Sequence, residues 1–323
     1  MALLNPAFWT FVAVIAGIYA IMALGLYVQF SLAGLPNFGH VAFMAVAAYT
    51  MAIFVVRYSL PLALAAALGL LGSVCLALVM CVPALRLRSD YLAIATVAGG
   101  ETIRYLALNL PGLTGGPIGS IGLLGPGDIA TYNHAWHSFL DAVGRSVFGL
   151  APSRDFTMAI LVWGTATALI FLCWLLERSP WGRVLKAIRE DEAAAAAVGK
   201  DVFKFKIQAL ILGAVLGGLS GLLLAWEIGV FSPDDYQPTL TFYAYLILIL
   251  GGVNRIWAIP LGAILFSLLY TATRFLNFYP LSLFDSGSRA YLRLFLVGLL
   301  LVLFMALRPQ GILGDRRQLL LEK

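Results

Sequence analysis

Residues 178–206 read RSPWGRVLKAIREDEAAAAAVGKDVFKFK, a long charged stretch between two apolar runs. Ser179 is a helix-capping residue, Pro180 suits a first helical turn, and Gly199 can end a helix in the left-handed conformation. The stretch therefore predicts one helix over about 180–198. Its apolar residues share one side, which indicates a helix that lies on another surface. That surface is either a protein partner or a layer of lipid headgroups.

The composition around this stretch is that of a membrane protein. Apolar residues make up 61% of the 323 residues and charged residues only 11%, whereas soluble domains carry about 25% charged residues. The sequence therefore predicts an all-α, polytopic transmembrane helical bundle that forms a single domain over 1–323. The net charge of +5 does not indicate nucleic-acid binding, because the basic residues gather between the apolar runs. We expect Cys75, Cys81 and Cys173 to be small hydrophobes within spans, without a metal.

The apolar runs predict about nine spans, within a range of eight to ten. They lie at 8–30, 41–57, 60–84, 90–109, 156–176, 207–227, 239–254, 257–276 and 290–307. Two of these, 41–57 and 239–254, are shorter than the ~20 residues that cross a bilayer upright. We therefore expect broken or partly inserted helices. The run at 8–30 lacks the features of a signal peptide and is expected to remain as a span.

The basic residues set the expected orientation. If 178–206 is cytoplasmic, alternating spans place the N-terminus outside and the tail after 307 inside, with Arg86, Arg88 and Arg255 on the inner side. Fourteen of the 21 Lys and Arg residues then lie inside and five outside, as the positive-inside rule requires.

The apolar sequence is interrupted at 31–40, which reads SLAGLPNFGH. Irregular backbone at membrane depth offers N–H and C=O groups to a polar solute. We therefore predict that Asn37, Gly39 and His40 contact the substrate in a passage. The alternative is a short turn between two ordinary spans, with His40 packed at a helix start. Residues 251–260, GGVNRIWAIP, repeat the theme of a glycine pair, an asparagine and a proline.

The predicted span 90–109 contains Glu101 and Arg104. A charge near the bilayer centre costs about 2.5 to 3.5 kcal/mol, and a spacing of three lets the two side chains neutralise each other on one helix face. The pair is either a buried structural ion pair or part of the translocation route.

Residues 110–153 are rich in glycine and proline and predict a long external loop. His134 and His137 could share one helix face there, but no Cys, Glu or third His completes a metal set, so no metal site is expected.

Motifs of nucleotide hydrolysis and other catalysis are missing from the sequence. No GxxxxGK[ST] occurs, and the Gly199–Lys200 pair is followed by Asp201. GxSxG, HExxH, CxxC and the dinucleotide fingerprint do not occur either. A transport role without a catalytic residue or a cofactor of its own is therefore expected.

Several blocks resemble the LivM-type permeases, the transmembrane subunits of ATP-driven importers for branched-chain and related amino acids. They are ALGLYVQFSLAGLPNFGHVAFMAVAAYT (23–50), LRLRSDYLAIATVAGGETIRYLALN (85–109) with LTGGPIGSIGL (113–123), RSPWGRVLKAIREDEAAAAAVG (178–199) and LVLFMALRPQGILG (301–314). The resemblance runs along nearly the whole chain.

The resemblance implies a permease of the bacterial inner membrane. It would pair with a second, LivH-like permease, with two cytosolic ATPase subunits that bind ATP, and with a periplasmic solute-binding protein. Candidates for the substrate pathway are Asn37, Gly39, His40, Glu101, Arg104 and Thr114. Candidates for contact with the ATPase are Trp181, Arg183, Leu185, Ile188, Arg189, Glu190, Glu192 and Gly199, and we expect the apolar side of 181–198 to enter a groove on that subunit.

Residues 251–260 depart from the family pattern of Gly-Gly-x-Gly followed by Trp-Gly-Pro, because Asn254 and Arg255 intrude and Ala258 replaces a glycine. This resembles more closely the subgroup associated with neutral amino acids, so the expected substrate is a branched-chain or other neutral, hydrophobic amino acid. The alternative from another class is a secondary transporter that couples to protons through Glu101. A pore-forming channel is the third.

Overall fold

The structure, a computed structural model, describes residues 6–84, 89–123, 125, 129–148, 153–275, 288, 291–292, 295, 298–299, 302–303 and 311–313. Within these ranges the chain is α-helical and has no β-strand, which confirms the predicted fold class. The predicted inner-side Arg86 and Arg88, most of the predicted span 290–307 and most of the tail after 307 lie outside the described residues.

The chain runs through twelve α-helices in the described part. They are α1 (Pro6–Leu26), α2 (Val41–Tyr58), α3 (Leu62–Ala84), α4 (Ser89–Asn109), α5 (Pro111–Thr114), α6 (Ile129–Phe148), α7 (Arg154–Arg178), α8 (Pro180–Glu190), α9 (Glu192–Ala197), α10 (Val202–Ile228), α11 (Thr239–Gly251) and α12 (Ile259–Phe275). A π-helix, Tyr27–Leu32, continues α1, and 3-10 helices occupy Gly116–Gly122, Pro233–Tyr236 and Ile256–Ala258.

The first helix is the centre of the bundle. It is apolar on all sides, as expected of a helix surrounded by others, and 89% of an 18-residue apolar window within Phe8–Leu32 is buried. It packs against α7, α10, α11 and α12, while α2 packs against α3 and α10. The core therefore lies between α1, α2 and α10.

Five helices, α1, α2, α3, α7 and α10, are long and apolar enough to cross a membrane, with mean hydropathies of 1.8 to 2.5. The bent pair Pro233–Gly251 and Ile256–Thr271, which meets at an angle of 107°, makes up to six. The predicted count of about nine is therefore not confirmed for the described residues. Only 28% of the α3 and α7 spans is buried, so these helices present apolar surface to lipid or to another membrane protein.

Of the two short predicted spans, one ends at a break and the other is a regular helix. The 239–254 run ends at the break between α11 and α12, as expected, whereas 41–57 lies in the regular helix α2. The 90–109 run forms α4, which is not among the span-length apolar helices. Of the cysteines, Cys173 is buried and Cys75 lies on the exposed side of α3.

Residues 110–153 were predicted to be a loop, and this is wrong for their second half. They contain α5, a 3-10 helix and the twenty-residue helix α6. The ring of Trp136 on α6 stacks on Trp226 of α10 with 4.0 Å between centroids. Arg154 donates to Asp141 and holds the pKa of that carboxyl below its usual value. The described residues contain no cluster of metal-ligating side chains.

Candidate functional site

The segment between α1 and α2 folds back beside α1, so that His40 lies next to Gly25. A side chain at Gly25 of α1 or Gly217 of α10 would come within 3 Å of His40 Nε2, so the imidazole fills the gap that these glycines leave. Gly25 precedes the end of the helical segment at Leu32 by about 10 Å of helix. The chain therefore turns back before α2 begins at Val41, which confirms an interrupted backbone between the runs at 8–30 and 41–57.

Gln29 is the centre of a buried polar cluster in this break. Its Oε1 accepts a hydrogen bond from Asn37 Nδ2 at 3.0 Å and lies 3.2 Å from His40 Nδ1. Its Nε2 donates to the carbonyl oxygen of Leu210 on α10 at 3.1 Å. Asn37 Oδ1 accepts from the backbone N–H of Gly39 at 2.9 Å. Gln29, Asn37 and His40 are at most 2% exposed, so these groups bind one another inside the chain.

The start of α2 is held by two other helices. The backbone N–H of Phe38 donates to Thr96 Oγ1 of α4 at 3.1 Å, and that of Val41 donates to Thr241 Oγ1 of α11 at 3.1 Å. These threonines satisfy N–H groups that a helix start leaves without partners. Gly39 does permit a close approach, but to α4, because a Cβ there would collide with the carbonyl oxygen of Thr96.

The geometry of this segment fits the alternative in which His40 is packed at a helix start. Asn37 uses a donor and its acceptor within the chain, and His40 has no exposed surface. A contact of these residues with substrate stays a prediction.

Glu101 and Arg104 form the predicted ion pair on one face of α4. Arg104 Nη2 lies 2.7 Å from Glu101 Oε2, and Nε donates to Glu101 Oε1 at 2.9 Å, so the pair is bidentate. Arg104 Nη1 also binds Asp234 Oδ1 at 2.9 Å, in the 3-10 helix before α11. The pair thus ties α4 to the segment between α10 and α11.

Asp234 belongs to the rim of a cavity of about 650 Å³ between α1, α10, α11 and α12. Three carboxylates, Glu227, Asp234 and Asp235, line it together with tyrosine rings. A cavity with this lining binds a cation, or the ammonium group of a zwitterion, more favourably than it binds an anion.

Thr114 closes the turn between α5 and the next 3-10 helix. Its Oγ1 donates to the carbonyl oxygens of Ala107 at 2.5 Å and Leu110 at 2.9 Å, and accepts from the N–H of Gly116 at 3.3 Å. The side chain is buried, so the structure gives Thr114 a turn-closing position apart from the buried cluster around Gln29.

The charged stretch 178–206 forms two helices before α10, which corrects the single helix predicted over 180–198. Asp191 is extended and its Oδ1 accepts from the N–H of Ala194 at 3.0 Å, so it caps α9 and ends α8. The predicted cap at Ser179 is confirmed by a hydrogen bond from the N–H of Gly182 at 3.4 Å. Gly199 takes the predicted left-handed conformation, with φ of +78°.

The two helices expose different surfaces. Leu185 and Ile188 on α8 are 0% exposed, so the expectation that they enter a groove on another protein is wrong: they pack inside this chain. On α9 the exposed side carries small apolar residues and ends at Val198, which is 73% exposed. Of α8 and α9, α9 therefore carries the exposed apolar surface, and Phe203 at the start of α10 is also 41% exposed.

The polar and charged residues of this stretch that were predicted to contact the ATPase differ in exposure and in the partners they bind. Trp181 Nε1 donates to Gln208 Oε1 at 2.8 Å, and Glu192 forms an ion pair with Lys206 of α10. Arg183 and Glu190 are exposed, and Glu190 binds Arg189 at 2.6 Å.

Arg189 on α8 joins the two broken segments of the chain. Its Nη1 donates to the carbonyl oxygen of Ser31, after α1, at 2.6 Å and to Asn254 Oδ1, between α11 and α12, at 3.3 Å. The two interruptions that the sequence analysis compared therefore meet at one guanidinium. Nearby, Glu177 of α7 accepts from Lys186 at 2.6 Å and from the Tyr27 hydroxyl at 3.1 Å.

The sequence analysis did not identify Gln29 or Asp234. Gln29 had a signal that could have been used: it is a lone amide in an apolar run, and an amide that enters an apolar medium without a partner costs roughly 2 to 7 kcal/mol. Asp234 had none, because it lies 130 residues from Arg104.

Comparisons with known proteins give one family. Residues 8–305 match the family described as branched-chain amino acid transport system / permease component. The high-affinity branched-chain amino acid transport system permease protein LivM of Salmonella typhimurium strain LT2 is 32% identical over 95% of this chain and 70% of its own length. LivM of Escherichia coli K12 is 33% identical over the same shares. A probable LivM of Methanocaldococcus jannaschii is 24% identical over 93% of this chain and 91% of its own length. No solved structure matches.

Proposed function

Because the chain belongs to the family of branched-chain amino acid transport permeases, we propose that it is the transmembrane subunit of an ATP-driven importer for branched-chain or other neutral, hydrophobic amino acids. The observation that carries the proposal is the family match over residues 8–305, which takes in nearly all of the described helices. The chain is a multi-pass membrane protein and a transport component.

The proposed machine needs other subunits. A second, LivH-like permease would complete the passage, two cytosolic ATPase subunits would bind and hydrolyse ATP, and a periplasmic binding protein would deliver the amino acid. The lack of a phosphate-binding loop in the sequence supports this division of labour. The assembly would lie in a bacterial inner membrane, with 178–206 facing the cytosol.

We place the ATPase contact on α9. Its exposed alanines and Val198 form a small apolar surface, and the carboxylates Glu190, Asp191 and Glu192 lie beside it on the exposed side. A short helix of this kind fits a groove on a partner. The buried residues Leu185 and Ile188 would fix α8 to the rest of the chain, so that a displacement of α9 moves α8 as well.

Arg189 offers a route from that contact to the passage. Its hydrogen bonds to Ser31 and to Asn254 attach α8 to the breaks after α1 and after α11. A movement of α8 would therefore act on both interrupted segments at once. Interrupted helices are where a transport protein can present backbone groups to a polar solute.

The alternative, a transporter that couples to protons through Glu101, is not favoured by the comparisons. The geometry also argues against it, because Glu101 is held by two nitrogen atoms of Arg104.

Uptake by cells tests the substrate class. Deleting the gene should abolish high-affinity uptake of labelled leucine, and restoring it should recover uptake that excess isoleucine, valine or another neutral amino acid inhibits. Lysine and glutamate serve as charged controls and should not compete. If leucine uptake survives the deletion unchanged, or only charged amino acids compete, the proposed substrate class is wrong.

A further inference from the structure

An apolar groove runs along the outer side of α7 and ends at Trp257. It is lined by the small residues Gly164 and Thr167 and by the aromatic side chains of Trp163 and Phe171. A Cβ added at Gly164 would meet no atom within 4 Å, so the groove is open at this point. From Ile160 to Phe171 the groove follows α7 for about 16 Å.

A basic cavity of about 670 Å³ adjoins the groove, and Trp257 lines both. Among the described residues that line it, Arg178, Arg183, Lys186 and Arg255 are basic and Glu177 is the one carboxylate. Glu177 already accepts hydrogen bonds from Lys186 and from Tyr27. The cavity therefore keeps a clear excess of positive charge.

The groove lies at the depth of the acyl chains of a lipid, and the basic cavity lies at the depth of its headgroup. Arg154–Arg178 is a candidate membrane span of which 28% is buried, so the groove faces the hydrocarbon layer. Arg178 is the last residue of that span and its guanidinium lies 4.1 Å from the centre of the Trp174 ring. Tryptophan and basic residues together at the end of a span are typical of the headgroup layer.

We infer that this groove and cavity form a binding site for an anionic phospholipid. Its phosphate lies among the basic side chains, and one acyl chain follows α7 between Trp163 and Phe171. Basic pockets between helices at the membrane surface bind such headgroups. A choline headgroup carries an ammonium that the same cations repel, so the site selects negatively charged lipids. Because α8 supplies Arg183 and Lys186, the bound lipid joins the end of α7 to α8.

Native mass spectrometry of the full chain in a mild detergent tests the site. The chain is titrated with phosphatidylglycerol or with phosphatidylcholine of the same acyl chains, and the dissociation constant of the first bound lipid is measured. Phosphatidylglycerol should bind more tightly. The double variant Arg178→Gln/Arg183→Gln should weaken its binding about 30-fold, since each basic residue near a headgroup contributes about fivefold. Lys200→Gln/Lys204→Gln, which removes the same charge outside the cavity, should change it less than threefold.

The groove has its own pair of variants. Gly164→Leu places a side chain in the groove at a position where its Cβ meets no atom within 4 Å, and it should weaken phosphatidylglycerol binding at least fivefold. Gly298→Leu places the same side chain at another open, exposed glycine and should have no effect. If a double variant misfolds, as judged by its elution volume and helical content, Arg183→Gln alone should still weaken binding about fivefold.

Three results would overturn the proposal. One is equal affinity for the two lipids, and another is an equal loss in the cavity variant and its lysine control. The third is unchanged phosphatidylglycerol binding by Gly164→Leu; if that variant also loses a co-purifying membrane protein, the groove belongs to a protein partner.

Discussion

Gln29 is the residue on which the break between α1 and α2 depends. Its side-chain oxygen accepts a hydrogen bond from Asn37 and lies 3.2 Å from His40 Nδ1, and its side-chain nitrogen donates to a carbonyl oxygen of α10. A buried amide in this position stabilises one conformation of the break, because any other arrangement leaves polar groups without partners.

We predict that Gln29→Leu destabilises the protein. Asn37 and His40 would each lose a partner in a buried site, at about 1 to 3 kcal/mol for each group left unsatisfied. The melting temperature in detergent should fall by several degrees. Gln208→Leu makes the same change at an exposed position of α10, where water can replace its one described hydrogen bond, from Trp181, and it should have a much smaller effect. An unchanged melting temperature of Gln29→Leu would contradict the role given to the cluster.

Asn37→Ala and His40→Ala separate a structural role from contact with substrate. Because both side chains are buried and bound within the chain, we expect assembly with the partner subunits, stimulation of the ATPase and uptake to fall together. These quantities are measured on the purified complex. Normal assembly and ATPase stimulation with lost uptake would instead support direct contact with substrate.

Interactions between near neighbours in sequence could be predicted here, and those between distant residues could not. The Glu101–Arg104 pair follows from a spacing of three on one helix. The third partner, Asp234, comes from a distant segment that no local pattern connects to α4. The interruption at 31–40 was visible as glycine and proline, but the hydrogen bonds that hold it to α4, α10 and α11 depend on helices that come later in the chain.

At the scale of elements, the stretch 178–206 is divided into a helix that belongs to the core and one that faces outward. Ser179 correctly predicted the start of α8, and Gly199 correctly predicted the left-handed turn after α9. The break at Asp191 was missed because an alanine run favours a continuous helix, while an aspartate can either continue a helix or cap a new one. The burial of Leu185 and Ile188 could not be read from one helix, since an apolar face does not say which surface covers it.

Charge placed on α9 should uncouple the importer. Val198→Glu introduces a carboxylate at an exposed apolar position, so the chain should still fold while the ATPase subunits bind less tightly. Co-purification of the ATPase and uptake should both fall at least tenfold, whereas the conservative Val198→Ala should retain them. If Val198→Glu keeps full uptake, the contact lies elsewhere.

Arg189→Lys tests the link between α8 and the two breaks. Arg189 binds Ser31 and Asn254 through Nη1 and Glu190 through Nη2 and Nε, and the single ammonium of lysine keeps the charge but cannot span all three partners. The loss of one charge-assisted hydrogen bond, about 1.5 kcal/mol, corresponds to roughly a tenfold drop in uptake per ATP hydrolysed. Arg145→Lys, on α6, is the control and should leave this ratio unchanged. An unchanged ratio in Arg189→Lys would remove Arg189 from the route.

The whole molecule must take one fixed orientation in the membrane if 178–206 is to face the ATPase subunits. In a variant without Cys75, Cys81 and Cys173, a cysteine at Glu190 should be protected from a membrane-impermeant reagent in intact cells. A cysteine at Ser138, an exposed position on α6, should react. Labelling at Glu190 from outside would reverse the orientation.

Uptake into proteoliposomes tests the central claim most directly. The chain is reconstituted with its partner permease and ATPase subunits, with ATP inside and the binding protein and labelled leucine outside. We expect accumulation that needs ATP and all of these subunits, and none by the chain alone under a proton gradient. Uphill uptake by the chain alone, driven by protons and independent of ATP, would contradict it.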